Sequence, residues 1–270
     1  MPRSDGGPRT MDVVVAMRNG RPHLPRLIAS LEAQERRPTN VIVVDDGSSD
    51  GSVDYLRQHA PSWVIGTTDS VGPAGARNAG ARVGTSKWIL FLDVDDLPQP
   101  TWCSSFLGSA DSPARLLRRG ACLITPTARR TLLPEPGLAG CFLVGSWAID
   151  RTLWDQVQGY DPRYRYSENT DLALRLRQVL GVDKGVPSHE EMILSGHGID
   201  IMQAESARAR NSRHAEARRA AALRLLKEHG QHLAPGEQHD LCRVALSTDL
   251  RAGRYRRLPG DAWRLMRHRK

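Results

Sequence analysis

The chain has 270 residues, 40% hydrophobic and 25% charged, so it can bury one sizeable core but hardly two full enzyme domains, and a largely disordered chain is excluded. Its formal charge is +8, yet Arg251, Arg254, Arg256, Arg257, Arg264, Arg267, Arg269 and Lys270 stand against the single acid Asp261 in the last twenty residues. The basic excess is therefore a tail and not a face spread to meet phosphates, and no nucleic-acid partner is expected. Cys103, Cys122, Cys141 and Cys242 form no CxxC pair and read as buried free thiols. Residues 1–10 are polar and lack the apolar segment of a signal peptide, and no later run reaches spanning length. A cytoplasmic, reduced protein is the expectation.

Val13 to Met17 is a short apolar run that ends in Arg18-Asn19-Gly20, the pattern of a buried strand running into a loop. Leu24, Leu27, Ile28 and Leu31 then recur at helical spacing before Pro38. Val41 to Val44 predicts a second buried strand, which runs into Asp45-Asp46-Gly47-Ser48-Ser49-Asp50-Gly51. A short strand near Trp63-Val64-Ile65, a helix over 74–83 and a strand over 88–92 continue the alternation. Such alternation predicts a parallel α/β sheet.

Beyond Pro98 the spacing predicts a helix from Thr101, apolar stretches over 121–125 and 141–149, and a helix over 171–180. From about Ala204 the chain turns helical and Arg/Ala-rich. Ala222, Leu225 and Leu226 share one face, and Leu241, Val244 and Ala245 share another. The expected organisation is a domain over 1–203 and a helical extension over 204–270 that ends in the basic tail.

Two acidic clusters sit where strands end, and in open α/β sheets ligands bind outside those carboxyl ends. Asp93-Val94-Asp95-Asp96 follows the strand over 88–92 and precedes Leu97-Pro98, so its backbone is expected to be extended or tightly turned. In an extended segment Asp93 and Asp95 project to one side. Crowded carboxylates call for a cation or a hydrogen-bond donor between them, and hard oxygen ligands suit Mn²⁺ or Mg²⁺. A solvated turn or a helix cap is the competing reading of each cluster taken singly.

Val43-Val44-Asp45-Asp46-Gly47-Ser48-Ser49-Asp50-Gly51, Gly75-Ala76-Arg77-Asn78-Ala79-Gly80 and Phe91-Leu92-Asp93-Val94-Asp95-Asp96, in this order and spacing, resemble the family-two inverting glycosyltransferases. The resemblance covers roughly 12–180 and implies a GT-A fold, a Rossmann-like, mostly parallel sheet flanked by helices. It implies a nucleotide-sugar donor, UDP first among the candidates, whose base meets Ala16 and Asp46, with Arg18 and Asn19 nearby. Asp93 and Asp95 match the DxD motif, the first acid on the ribose or metal shell and the second on the metal, with Asp96 close by. Arg77 either approaches the phosphates or forms a salt bridge to one of these acids.

Gly159-Tyr160-Asp161 and Ser167-Glu168-Asn169-Thr170-Asp171-Leu172 resemble the family's Gly-aromatic-Asp and Glu-Asp-x-Asp-Leu signatures, with Asn169 where an acid is usual. An amide cannot take a proton from an acceptor hydroxyl, so Glu168 becomes the candidate base, with Asp171 the runner-up. Ser167 or Asn169 capping the following helix is the competing role. His189, His197 and His214 are candidates for a further metal ligand, with an ordinary loop histidine as the alternative. The aromatic and apolar residues Tyr255, Leu258, Trp263, Leu265 and Met266 among the tail arginines suggest peripheral contact with an anionic membrane surface; a solvated tail is the alternative. The acceptor, a glycan, a lipid-linked glycan or a small molecule, is not named by any motif. Two other functions compete: a catalytically inactive nucleotide-sugar-binding protein, and a sugar-nucleotide nucleotidyltransferase, which would want a Gly-rich phosphate loop where Arg18-Asn19-Gly20-Arg21-Pro22 stands.

Overall fold

A computed structural model describes residues 9–108, 114–124, 129–132, 143–181, 193–204 and 215–251. The first half alternates strictly. Strand β1 (Met11–Met17) leads to α1 (Leu24–Glu32), β2 (Asn40–Asp45) to α2 (Ser52–His59), β3 (Val64–Thr67) to α3 (Gly72–Val83), and then comes β4 (Trp88–Asp93). β2, β1 and β4 are continuous apolar runs because both of their faces are covered. Val13, Val15, Val43, Leu90 and Leu92 pack with Leu24, Leu27 and Leu31 of α1 on one side. On the other, Val14, Ile89 and Phe91 meet Ala74 and Ala81 of α3.

The second half adds β5 (Leu97–Pro98), α4 (Trp102–Leu107), β6 (Leu116–Ile124), β7 (Arg129–Leu132), β8 (Trp147–Asp150), α5 (Arg151–Gln156), α6 (Glu168–Val179), β9 (Ile193–Ala204), α7 (Ala215–His229) and α8 (Pro235–Arg251). The sheet order is β3-β2-β1-β4-β8-β6-β9-β5, with β7 beside β6. β3, β2, β1 and β4 are parallel, whereas β8 runs antiparallel to both β4 and β6. The parallel sheet expected from the alternation is formed by β3, β2, β1 and β4, and the sheet as a whole is mixed.

Two helices escaped the sequence reading. α2 buries only Ser52 and Leu56, too little for an apolar period to show. α5 follows β8 directly, and its N-cap Asp150 accepts from the backbone of Thr152 and Leu153. The apolar stretch expected over 141–149 is strand only from Trp147. On α8 the inward residues are Cys242 and Ala245, with Leu241 partly buried, while Val244 is exposed; the face expected to include Val244 is rotated. Cys103 and Cys242 are buried free thiols, and burial pushes the Cys103 thiol up to about 12. Cys122 and Cys141 lie outside the described side chains.

α7 and α8 pack on the main sheet domain through a separate apolar cluster. Ala221, Leu225 and Leu233 meet Tyr164 and Leu174, the latter on α6. Arg177 of α6 pairs with Glu237 of α8 at 2.8 Å.

Candidate functional site

The carboxyl ends of β1, β2 and β4 lie side by side. In register, Ala16 stands opposite Asp93 and Met17 opposite Asp45. The strand order reverses at β1, between β2 and β4, the kind of switch point at which open α/β sheets form a ligand crevice. The loop after β1 is stitched to the loop after β2. The Asn19 backbone donates to Ser48 Oγ at 2.7 Å, Ser49 donates to Asn19 Oδ1 at 2.9 Å, and Arg21 donates through its backbone to Asp50 Oδ2 at 3.0 Å. Arg18 is exposed at this rim and Ala16 is half-buried below it.

The two acids that end β2 do different things. Asp46 Oδ1 accepts from Thr68 Oγ1 and from the Val71 backbone, and its Oδ2 accepts from the Gly72 backbone, all at 2.8 Å. Its carboxylate thereby anchors the entry to α3, satisfying donors that a helix start leaves orphaned. Asp45 is equally buried, and its Oδ2 accepts from the Ser48 backbone at 3.0 Å. Its Oδ1 is buried without a hydrogen-bond partner. An orphaned buried carboxylate oxygen is costly and points to a missing donor. The resemblance implies a base contact at Asp46; the two adjacent acids differ only in the donors that the tertiary structure brings to them.

Asp93 through Asp96 form a tight turn closed by the Asp96 backbone donating to Asp93 O at 3.1 Å, the second of the two backbones expected. Asp93 continues the face of Ile89 and Phe91, toward α3 and α6. There Arg77 of α3 reaches it: Nη2 donates to Asp93 Oδ1 at 2.7 Å, and Nη1 donates to Glu168 Oε1 at 3.1 Å. The Arg77 side chain is 4% exposed, Glu168 13% and Asp93 40%. Of the two roles read for Arg77, this is the ionic one. Burial works against its charge, but Asp93, Tyr160 and Glu168 outweigh burial and hold it above the ordinary arginine pKa. Its guanidinium carbon lies 5.4 Å from the centre of the Tyr160 ring.

Tyr160 is fixed from below. Asn78 Nδ2 donates to its carbonyl at 2.8 Å and its own N–H donates to Asn78 Oδ1 at 2.9 Å. Gly159 precedes it with φ +67°, and a Cβ there would stand 2.7 Å from Asn78 Oδ1. The Tyr160 ring packs edge-on to Phe91 and Trp154. Its hydroxyl donates to Asn169 Oδ1 at 2.9 Å, and burial keeps the phenol protonated well above its usual range. Asn169 is thus a partner of Tyr160. Ser167 occupies the N-cap of α6 at φ 60° with no side-chain capping bond, so neither expected cap forms through a side chain.

Glu168 and Asp171 diverge from α6. Asp171 is buried, with Arg175 Nε and Nη2 on its Oδ2 at 2.9 and 2.6 Å and His229 Nε2 on its Oδ1 at 2.9 Å. Both of its oxygens are occupied away from the crevice. Asp95 is half-buried, and Asp96 is buried. Among the described residues the acids Asp93, Asp95 and Asp96 do not converge into a three-ligand cluster; Asp171, Glu228 and His229 do. His189 and His214 and the side chain of His197 lie outside the described residues, as does the tail from residue 252.

Residues 12–120 match the model of glycosyl transferase family 2. The resemblance read from the motifs is therefore to this family. Within that segment lie Asp45, Asp46, Arg77 and the 93–96 turn. A pre-mycofactocin glycosyltransferase of Mycobacterium tuberculosis is 40% identical over 116 residues, which is 42% of this chain and 24% of that one. An uncharacterized glycosyltransferase of Haemophilus influenzae is 35% identical over 186 residues, 62% of each chain. The chain thus spans less than two thirds of the length of these relatives. Among solved structures, S. aureus TarS 1-349 in complex with UDP-GlcNAc has a TM-score of 0.64 at 14% identity, covering 95% of this chain and 78% of that one. The mannosyltransferase PcManGT of Pyrobaculum calidifontis, in complex with GDP-Man and Mn2+, has a TM-score of 0.61 at 16% identity, covering 99% and 81%. The fold is GT-A.

Proposed function

We propose that the protein is an inverting glycosyltransferase that moves a sugar from a nucleotide-diphosphate donor, UDP-linked in the first instance, to an acceptor hydroxyl. The reading rests on one observation above all: a single buried guanidinium holds Asp93 of the strand end and Glu168 of α6 together beside the crevice. It draws support from the family-2 match over 12–120 and from the nucleotide sugars bound by TarS and PcManGT.

The orphaned Asp45 Oδ1 is the base contact in this proposal. It accepts a ring N–H, which uracil, thymine and guanine carry and cytosine and adenine lack. Ala16 floors the base, Arg18 and Asn19 line the rim, and Asp46 acts by fixing the 68–72 loop. Asp93 meets the ribose or the metal shell.

The donor set fits a hard divalent ion, Mn²⁺ or Mg²⁺. Such an ion needs only one or two carboxylates when phosphate oxygens and water supply the rest, so a turn without three converging protein ligands is no obstacle. Asp95 and Asp93 would hold it, with Asp96 bracing the turn from its buried position, and when bound it neutralises charge growing on the diphosphate.

Glu168 takes the acceptor proton. The acceptor oxygen bonds to the anomeric carbon, the bond from that carbon to the diphosphate oxygen breaks, its electron pair leaves with the diphosphate, and the proton passes to a Glu168 carboxylate oxygen. Arg77 keeps Glu168 oriented for this step. Asp171, with both oxygens bonded, is left to a supporting role.

Donor turnover tests the reading. With Mn²⁺ and a nucleotide sugar, slow hydrolysis is expected from the wild-type chain; Asp95→Ala should lose metal-dependent donor binding, and Glu168→Gln should bind donor and transfer nothing. Tight donor binding with no hydrolysis by the wild-type chain would favour the inactive binding protein instead. Among the described residues no helix is long and apolar enough to cross a membrane. A cytoplasmic site of action, with the basic tail on the membrane face where lipid-linked acceptors reside, completes the proposal.

A further inference from the structure

Asp171 sits one turn along α6 from Glu168, yet its side chain faces the C-terminal helices. His229, the last residue of α7, brings Nε2 to 2.9 Å from Asp171 Oδ1, and its Nδ1 lies 3.3 Å from Gln178 Nε2. The Gln178 amide nitrogen can only donate, so His229 accepts at Nδ1, carries its proton on Nε2 and donates to Asp171. Arg175 closes the other side: it binds Asp171 Oδ2 through Nε and Nη2, while its Nη1 donates to the carbonyls of Val157 and Gly159 at 2.6 and 2.8 Å. Gly159 is the turn that presents Tyr160 to Arg77 and Asn169. One buried node thus joins the end of α7, the first turn of α6 and the turn beneath the Arg77–Glu168 pair.

Asp171, Glu228 and His229 offer ligand-type atoms within 4.8 Å of one another, which invites a metal. Their chemistry is already committed. Tyr164 donates to Glu228 Oε2 at 2.9 Å, Arg163 pairs with the same carboxylate, and the Asp171–His229 hydrogen bond uses the atoms a cation would need.

We infer that His229 is a positioning residue for Glu168: through Asp171 and Arg175 the C-terminal helical pair locks the first turn of α6 and the 157–160 turn in the geometry that transfer requires. The chain recruits its extension to the catalytic helix by this bond, with Tyr164–Glu228 and Arg177–Glu237 as flanking ties. The inference rests on the transferase reading for its catalytic half only. α6 starts from Ser167 at positive φ with no side-chain cap, a start that its own sequence supports poorly and that outside contacts must hold.

The test compares full-length wild-type, His229→Ala and His229→Gln proteins. Glutamine can donate from a comparable position and is the rescuing variant. Hydrogen exchange of amides 168–172 should quicken about tenfold or more in His229→Ala, the scale of losing a hydrogen bond to a charged group, and return toward wild type in His229→Gln. With UDP-sugar and Mn²⁺, His229→Ala should lower kcat about tenfold while donor Kd stays within about twofold, again with rescue by glutamine. Faster exchange confined to 215–251, or unchanged kcat per donor-binding site, overturns the inference. A wild-type protein that turns over no donor would sink the transferase reading, and the exchange comparison would still decide whether His229 holds α6.

Discussion

Replacing Arg77 by Met removes the one cation shared by Asp93 and Glu168 while keeping most of the apolar volume. Breaking a buried ion pair by deleting one partner costs about 3–5 kcal/mol, because the surviving charge stays desolvated. Asp93 is 40% exposed and can turn to water, so only Glu168, at 13%, bears the full penalty. The lower end, about 3 kcal/mol, is the expected loss. For a protein of this size that is a fall in Tm of about 6–12 °C. Urea unfolding followed by tryptophan fluorescence reads the loss directly, and the same preparation tests donor binding. Arg77→Lys keeps the charge, but one ammonium cannot span both the 2.7 Å and the 3.1 Å contact, so it should recover less than half of the stability. Arg57→Met, which breaks an exposed pair with Asp54, is the control and should leave the midpoint unchanged. An Arg77→Met protein as stable as that control would refute the claim that this guanidinium compensates buried charge.

Three further outcomes are expected. Asp45→Asn replaces the carboxylate that carries the orphaned Oδ1 and should weaken UDP binding by about tenfold or more while raising the relative affinity for CDP, measured by calorimetry; equal losses for both nucleotides would remove Asp45 from base recognition. Gly159→Ala places a Cβ against Asn78 and Trp154 at positive φ and should cost about 2 kcal/mol or more in denaturant unfolding. The Asp161 carboxyl is pushed up by burial but pulled further down by the hydrogen bonds and charge of Arg163, so its net pKa lies below the ordinary value. Its contribution is present above the unfolded carboxylate pKa and is lost as pH falls through the lower folded one. Asp161→Asn should therefore lower stability at neutral pH, converge with wild type at low pH, and so flatten the acid side of the stability profile.

The sequence by itself determined the parallel half of the fold and where the candidate site lies. Continuous apolar runs at β1, β2 and β4 can be satisfied only by covering both faces, and the acids that end them must then gather at one edge of the sheet. It also identified Glu168 as the carboxylate to examine, because Asn169 cannot accept a proton. The tertiary structure alone decided how the charges are shared. Asp45 and Asp46 are adjacent acids at the same strand end, and only the loop over 68–72, distant in sequence, supplies the three donors that occupy one and leave an oxygen of the other bare. Asp171 reads as a second acid beside Glu168 until Arg175 and His229 fill both of its oxygens, and His229 lies 58 residues away. Helix α2 was illegible because one leucine and one serine carry its burial, and the face of α8 was misread because Cys242, not Val244, meets the core. Periodicity reports which residues must leave water, but a hydrogen bond between residues far apart in the chain leaves no period to read.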